Sequence, residues 1–254
     1  MEQIISSRKF GIEIEAYNVN RSDLARELNR VGIECHSEHY NHDARPHWKI
    51  VEDSSVRGVN AFELVSPPMA GQDGIEQIKK VCQVLNNLNA KVNKSCGLHV
   101  HHNARQIKPQ QVRNLVTLYK RSEDTIDSFM PESRRASNNH YCQSLKNVTS
   151  ESYFAGDGSR YYKLNLASFH RHGTVEFRQH SGTVDAEKII NWVIFTQRMV
   201  DHACSSKFRV AHISKGMAWG ILRVTLGFSR QIKKNMAEAI EINAYFENRI
   251  RQFA

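Results

Sequence analysis

Three short segments of the sequence place chemically capable side chains two residues apart. Glu13 and Glu15 lie in Phe10 to Ala16 (FGIEIEA), His99 and His101 in Leu98 to Asn103, and Glu176 and Arg178 in Thr174 to His180. In an extended strand, residues i and i+2 share a face, with Cα atoms roughly 6.5 to 7 Å apart. If the three strands are neighbours, six polar side chains converge on one patch. Asp53, in Val51-Glu-Asp-Ser-Ser-Val56, and Glu63, in Phe62-Glu-Leu-Val65, add two carboxylates between the first two pairs.

Crowded carboxylates repel one another unless cations sit among them, and a set of mostly oxygen ligands suits Mg²⁺ or Mn²⁺, with room for two ions. An arginine beside such a cluster is placed to grip phosphate or carboxylate through its planar fork. Taken singly, an E-x-E is more often the solvent face of a strand, and a lone H-x-H is weaker evidence still. The coincidence of three pairs is what carries the reading. Gly11, Gly97 and Gly173 each lie close before a pair, and Ile12, Ile14, Leu98, Val100, Val175 and Phe177 interleave with the polar residues. Charged side chains on well-formed apolar strands are costly and tend to be kept for function.

The elements that must position these residues follow from periodicity. Alternation predicts strands over Phe10 to Ala16, His47 to Val51, Ala61 to Val65 and Leu98 to Asn103, with Pro67-Pro68 stopping the third. Apolar residues at three- and four-residue steps predict helices over Ser22 to Val31, with Ser22 as N-cap, and over Gly74 to Val92 and Pro109 to Phe129. Tyr162 to Phe169 and Thr174 to His180 read as a hairpin around His170-Arg171-His172-Gly173. Helices are expected over Asp185 to Cys204, Trp219 to Leu226 and Gln231 to Arg251. The polar stretch Pro131 to Arg160, with Gly156-Asp157-Gly158, reads as a long lid-like loop. Hairpin-like strand groups with inserted helices predict an antiparallel α+β domain rather than a doubly wound parallel sheet. No repeat or linker divides the chain.

At 254 residues and 40% hydrophobic content, a sizeable buried core is available. No stretch approaches the roughly 18 apolar residues of a membrane span, and the N-terminus lacks an apolar signal region, so the expected location is the cytoplasm. Five scattered cysteines without a C-x-x-C pair argue against a disulfide framework or a cysteine zinc site, and are expected as reduced thiols. The net charge of +9 admits an anionic substrate or nucleic acid, but the basic residues are dispersed as on an ordinary solvated surface.

Five motifs in register resemble the amidoligases, carboxylate–amine ligases related to glutamine synthetase and glutamate–cysteine ligase. They are Phe10-Gly-Ile-Glu-Ile-Glu15, Glu52-Asp-Ser-Ser-Val56, Phe62-Glu-Leu-Val-Ser-Pro67, Ser95-Cys-Gly-Leu-His-Val-His101 and Thr174-Val-Glu-Phe-Arg-Gln-His-Ser-Gly-Thr183. They span residues 8 to about 185. The resemblance implies a single catalytic domain over 1–254. It would have a glutamine-synthetase-like antiparallel sheet, helices packed on one side and a helical C-terminal part. It implies ATP and two Mg²⁺ or Mn²⁺ ions, with Glu13 and Glu15 as one ligand for each metal and His99 and Glu176 as further ligands. Asp53 and Glu63 resemble the acidic pair that completes the second metal's shell, at a longer spacing than in glutamate–cysteine ligase. Arg178 resembles the arginine that faces the transferred phosphate, so that Arg178, Glu176 and Asp53 stand nearest the chemistry. His101, Lys163, Asn165 and Gln179 are expected as nucleotide or substrate contacts. The implied reaction is phosphorylation of a carboxylate by ATP, followed by attack of an amine on the acyl phosphate. No G-x-x-x-x-G-K-[ST] loop is present, so metals and basic side chains would hold the nucleotide.

Two other classes compete. A two-metal hydrolase or nuclease would use a similar cluster, though with more Asp and His ligands than this glutamate-rich set. A nucleic-acid-binding protein would explain the charge and Arg134-Arg135 near Tyr141, but not paired carboxylates on central strands. The carboxylate and amine to be joined, whether small molecules, peptides or a protein side chain, are not specified by the sequence, nor is the oligomeric state.

Overall fold

A computed structural model describes residues 4–156, 158–206, 208, 218–228 and 236–254. It is α+β, and its chain forms two compact units, each discontinuous in sequence. One, here the strand-rich unit, comprises Ser7–His101 and His180–Val193. The other, the helix-rich unit, comprises Met1–Ser6, His102–Gln179 and Ile194–Ala254.

The strand-rich unit contains β1 (Phe10–Ala16), α1 (Arg21–Arg30), β2 (Cys35–Ser37), β3 (Trp48–Val51), β4 (Phe62–Val65), α2 (Gly71–Asn87) and most of β5 (Gly97–Asn103). Its strands lie in the order β2-β3-β4-β1-β5. β1 pairs antiparallel with β4, setting Glu13 opposite Val65, Ile14 opposite Leu64 and Glu15 opposite Glu63. β3 continues the antiparallel ladder from β4, whereas β2 pairs parallel with β3. The sheet is therefore mixed, which corrects the purely antiparallel expectation. β2 escaped the sequence reading because three residues with only Cys35 buried carry no alternation to detect.

Phe10, Ile12 and Ile14 of β1 share a buried face with Leu64, Trp48 and Ile50. α2 covers this face, with Gln77 accepting from the Trp48 indole N–H at 2.9 Å. A methyl group on Gly74 would meet the Phe10 ring at 2.7 Å, so the helix approaches only because that residue lacks a side chain. α1 contacts α2, β2 and β3. Its N-cap is Asn20, whose side chain accepts from the Ser22 and Asp23 amides, rather than Ser22 itself. α2 stops at Asn87, five residues before the expected end, where Asn89 turns left-handed at φ 56°. With helices on one face, the other is left for polar side chains.

The helix-rich unit contains α3 (Pro109–Ser128), a 3₁₀ turn (Glu132–Arg134), α4 (Glu151–Ala155), β6 (Leu164–Asn165), α5 (Ala167–His172) and most of β7 (Thr174–Ser181). The end of α6 (Ala186–Cys204), α7 (Trp219–Thr225) and α8 (Met236–Phe253) complete it. Residues 231–235 of the expected last helix lie outside the described residues, as does Asp157 of the expected loop. Its apolar centre is an aromatic cluster of Phe129, Phe195, Trp219 and Phe246, with Phe129 and Phe246 ring centroids 4.9 Å apart. The first hairpin arm is shorter than predicted: only Leu164 and Asn165 pair with β7, and the rest coils into α5. Gly173 ends that helix at φ 66°, with the Arg105 stem 2.7 Å from where a Cβ would stand.

The stretch Pro131 to Arg160, expected as a long lid-like loop, contributes buried side chains. Cys142, Leu145, Val148 and Tyr153 are buried, and the Tyr153 hydroxyl donates to the Leu164 carbonyl at 2.8 Å. Among the described residues no helix is long and apolar enough to cross a membrane.

All five cysteines are reduced, and only Cys204 is not buried. Burial pushes the Cys35 thiol up to about 12, with Glu38 adding to the effect, and pushes Cys82 up to about 12, with Asp185 adding. A thiol whose folded pKa is raised stabilises the fold below its unfolded value near 9, and that contribution is lost as pH rises towards 12. Titration with a thiol reagent at pH 8 should therefore label Cys204 at least about tenfold faster than Cys35 or Cys82. Denaturation curves at pH 9 to 11 should be flatter with pH in Cys35→Ala and Cys82→Ala than in wild type.

Candidate active site

On the polar face of the strand-rich unit, Glu13, Glu15, Glu63, His99 and His101 come together. Strand alternation puts Glu13 and Glu15 on the face opposite Ile12 and Ile14, and the β1–β4 register puts Glu63 directly across from Glu15. Like charges opposed across antiparallel strands are destabilising by themselves. His99 offsets this within the cluster: its Nδ1 lies 3.0 Å from Glu13 Oε2 and its Nε2 3.5 Å from Glu15 Oε1. His101 Nε2 is 3.2 Å from Glu13 Oε1. Burial opposes the ionisation of Glu13, but His101 and His99 overcome it and hold the carboxyl well below the ordinary glutamate range.

Glu15, 6% exposed, accepts the Gly97 N–H at 2.6 Å, the first amide of β5. One ligand atom from each of Glu15, Glu63 and His99 lies within 4.8 Å of the others. Three carboxylates and an imidazole on an otherwise apolar sheet are a donor set suited to a divalent ion, with oxygen ligands in the majority. Lys49 of β3 flanks the cluster. It is nearly fully buried, its pKa is lowered by burial against the opposing pull of Glu38 and Glu63, and its ammonium donates to Asn41 O, Asn41 Oδ1 and Asp43 O.

Asp53 is not gathered into this group. It forms the turn after β3, where its Oδ1 accepts the Ser55 N–H at 2.7 Å and its carbonyl the Val56 N–H at 3.3 Å. Among the described residues, the side-chain groups with ligand atoms within 4.8 Å do not include Asp53.

In the helix-rich unit, Glu176 and Arg178 share a face of β7, and Asn165 of β6 pairs directly across from Glu176. Arg178 Nη1 donates to Glu176 Oε1 at 2.5 Å, and Asn165 Nδ2 donates to Glu176 Oε2, also at 2.5 Å. The carboxylate is thereby fixed at both oxygens. Arg178 Nε also donates to the Tyr141 carbonyl at 3.3 Å. Asn165, expected at the nucleotide, instead orients Glu176.

Lys163 and Gln179, also expected at the nucleotide, belong to a buried network. The Lys163 side chain is 0% exposed, and its ammonium donates to Glu123 at 2.9 Å and Asp127 at 2.6 Å. Gln179 donates to Asp127 Oδ1 at 2.5 Å and to the Arg134 carbonyl at 3.2 Å, and accepts from the Tyr119 hydroxyl. Their chemistry is satisfied inside the protein, so the geometry gives them an architectural role. The sequence reading passed over Glu123 and Asp127. Glu123 follows Tyr119 by four residues, and a glutamate on the apolar stripe of α3 was the signal that a buried cation had to be found elsewhere.

Residues 6–154 and 148–200, more than half of the chain, match the protein family described as "Putative amidoligase enzyme". A solved structure titled "Crystal structure of novel glutamine synthase homolog" is similar over 96% of this chain at 11% sequence identity and a TM-score of 0.44. The chain spans 66% of that protein's length. No curated protein matches.

Removing one partner of a buried ion pair leaves an uncompensated charge and costs about 3 to 5 kcal/mol. Lys163→Met should lower unfolding stability in urea by that amount. Wild-type stability in the variant would show that the buried pair is not what Lys163 is kept for.

Proposed function

The chain belongs to this amidoligase family, and from that premise we propose that it is an ATP-dependent carboxylate–amine ligase. A substrate carboxylate oxygen attacks the γ-phosphorus of ATP, the bond to the bridging oxygen breaks and ADP leaves. An amine nitrogen then attacks the acyl carbon, the carbon–oxygen bond to phosphate breaks, and the nitrogen gives up a proton as the amide forms. The observation that carries the reading is the cluster in which His99 faces both Glu13 and Glu15, with Glu63 across the ladder from Glu15.

Glu13, Glu15, Glu63 and His99 would hold the divalent metal. Mg²⁺ or Mn²⁺, when bound, neutralises charge on the phosphate oxygens. His101 keeps Glu13 ionised and ready as a ligand. Arg178 presents a fixed guanidinium to the transferred phosphoryl group, where charge develops during transfer and a preorganised donor is most effective. Asn165 keeps Glu176 in one orientation. The amine and carboxylate belong to small molecules, peptides or a protein side chain. A screen of amino acids, polyamines and peptides for substrate-dependent ADP release, with mass spectrometry of the product, identifies them. Phosphodiester cleavage without ATP consumption would sink the ligase reading in favour of a hydrolase.

ATP binding measured by calorimetry should require Mg²⁺ or Mn²⁺ and vanish in EDTA. Glu15→Gln keeps an acceptor for the Gly97 amide, and Glu13→Ala removes a ligand together with the partner of His99 and His101. Both should fold and lose turnover by on the order of 10³-fold or more. Near-normal activity in either would remove these carboxylates from the metal site.

Arg178→Lys separates a catalytic arginine from a mere partner of Glu176. A mere cationic partner of Glu176 would be replaced by lysine with its charge kept, whereas lysine cannot reproduce the planar fork that faces a phosphoryl group. ADP release should fall by on the order of 10²-fold with metal affinity nearly unchanged. Wild-type turnover would place Arg178 outside the chemistry.

A further inference from the structure

The edge of the strand-rich unit carries a second group of ligand-type side chains that the ligase chemistry does not use. Glu34 and His36 flank Cys35 at the start of β2, and His47 precedes Trp48 on β3. The parallel register sets Cys35 opposite Trp48, and both are buried. Alternation therefore turns Glu34, His36 and His47 together to the other face. One ligand atom from each lies within 4.8 Å of the other two. The two imidazole rings stand edge to face with centroids 4.3 Å apart, and His36 Nε2 is 3.3 Å from Glu34 Oε1. His47 Nε2 lies 3.1 Å from Glu38 Oε1, while Asn41 and Arg45 donate to the other oxygen of that carboxylate.

We infer that Glu34, His36 and His47 form a site for a borderline divalent metal, with Zn²⁺ the ion that fits best. Two imidazole nitrogens and one carboxylate oxygen, with water in the fourth position, are a donor set that zinc accepts and Mg²⁺ disfavours. A metal-bound histidine commonly donates its second ring N–H to a carboxylate, which fixes the ring, and Glu38 stands in that position for His47. Ligand atoms around tetrahedral zinc are about 3.4 Å apart, so closure asks for a movement of about an ångström. Glu34 and His36 are exposed and can rotate by that much. The backbone beneath them is held by the Trp48–Gln77 bond and by Lys49, whose ammonium gathers the 41–43 carbonyls.

The site sits at β2 and the start of β3, two to three strand spacings, about 10 to 14 Å, from β1 and its glutamates. Its ion would clamp the parallel edge strand β2 to β3.

Equilibrium dialysis of the full chain against Zn²⁺ in excess Mg²⁺, with bound zinc counted by mass spectrometry, tests this. The wild type should hold one zinc equivalent more than the double variant His36→Ala/His47→Ala. Co²⁺ should give a tetrahedral visible spectrum that the variant lacks. His39→Ala, a neighbouring histidine outside the group, should keep both, and His47→Gln alone should weaken zinc binding by on the order of 100-fold. His36→Ala at its exposed position carries the same test if the double variant fails to fold. Equal zinc content in wild type and variants, or an equal loss in His39→Ala, overturns the assignment.

Discussion

The constraint on which the strand-rich unit turns is the direct opposition of Glu15 and Glu63 across the β1–β4 ladder. Two carboxylates at adjacent positions of a buried sheet face repel, and nothing in the pairing itself relieves them. The unit answers with His99, whose two ring nitrogens face two different glutamates, and with the Gly97 amide, which ties Glu15 to the start of the neighbouring strand. The crowding that makes the face costly is also what gives it a donor set suited to a divalent ion. Ile12, Ile14, Leu64 and Phe62 on the other face supply the burial that lets the sheet carry this load.

The helix-rich unit solves a related problem with the opposite outcome. Lys163 is a buried cation enclosed by two carboxylates of one helix, and its backbone joins the same frame through bonds to the Gln143 carbonyl and from the Arg178 amide. Glu123 also accepts the Leu145 N–H, and Asp127 the Ala136 N–H. The polar segment after α3 is thus fastened at several points to carboxylates that Lys163 neutralises. In the strand-rich unit charge sits on a sheet face among carboxylates and imidazoles. Here it is sealed in and specifies one packing arrangement.

What could be read from the sequence was whatever depends on a local period. Glu13, Glu15, Glu63, His99 and His101 were legible because period two fixes their face and apolar neighbours fix the burial of the opposite one. The internal partners of Lys163, Asn165 and Gln179, which were expected at the nucleotide, could not be read because they lie elsewhere in the chain, on α3 and β7, where no spacing rule reaches. The turn at Asp53 was ambiguous for another reason: an Asp followed by two serines is equally a turn former, and the Ser55 amide bonds its side chain. The parallel pairing of β2 was invisible for want of length, and so were the ligand-type residues at that edge.

The division of the chain into units also governs its synthesis. The strand-rich unit is assembled from Ser7–His101 and His180–Val193, with most of the helix-rich unit encoded between. A nascent chain can pair β1 with β4 early, but the segment whose Gly182 amide bonds Cys96 arrives only after residues 102–179. The helix-rich unit in turn waits for α8 at the very end. Neither unit can close as an independent product of translation, so truncation at any point along the C-terminal half leaves at least one hydrophobic centre open to chaperones and proteases.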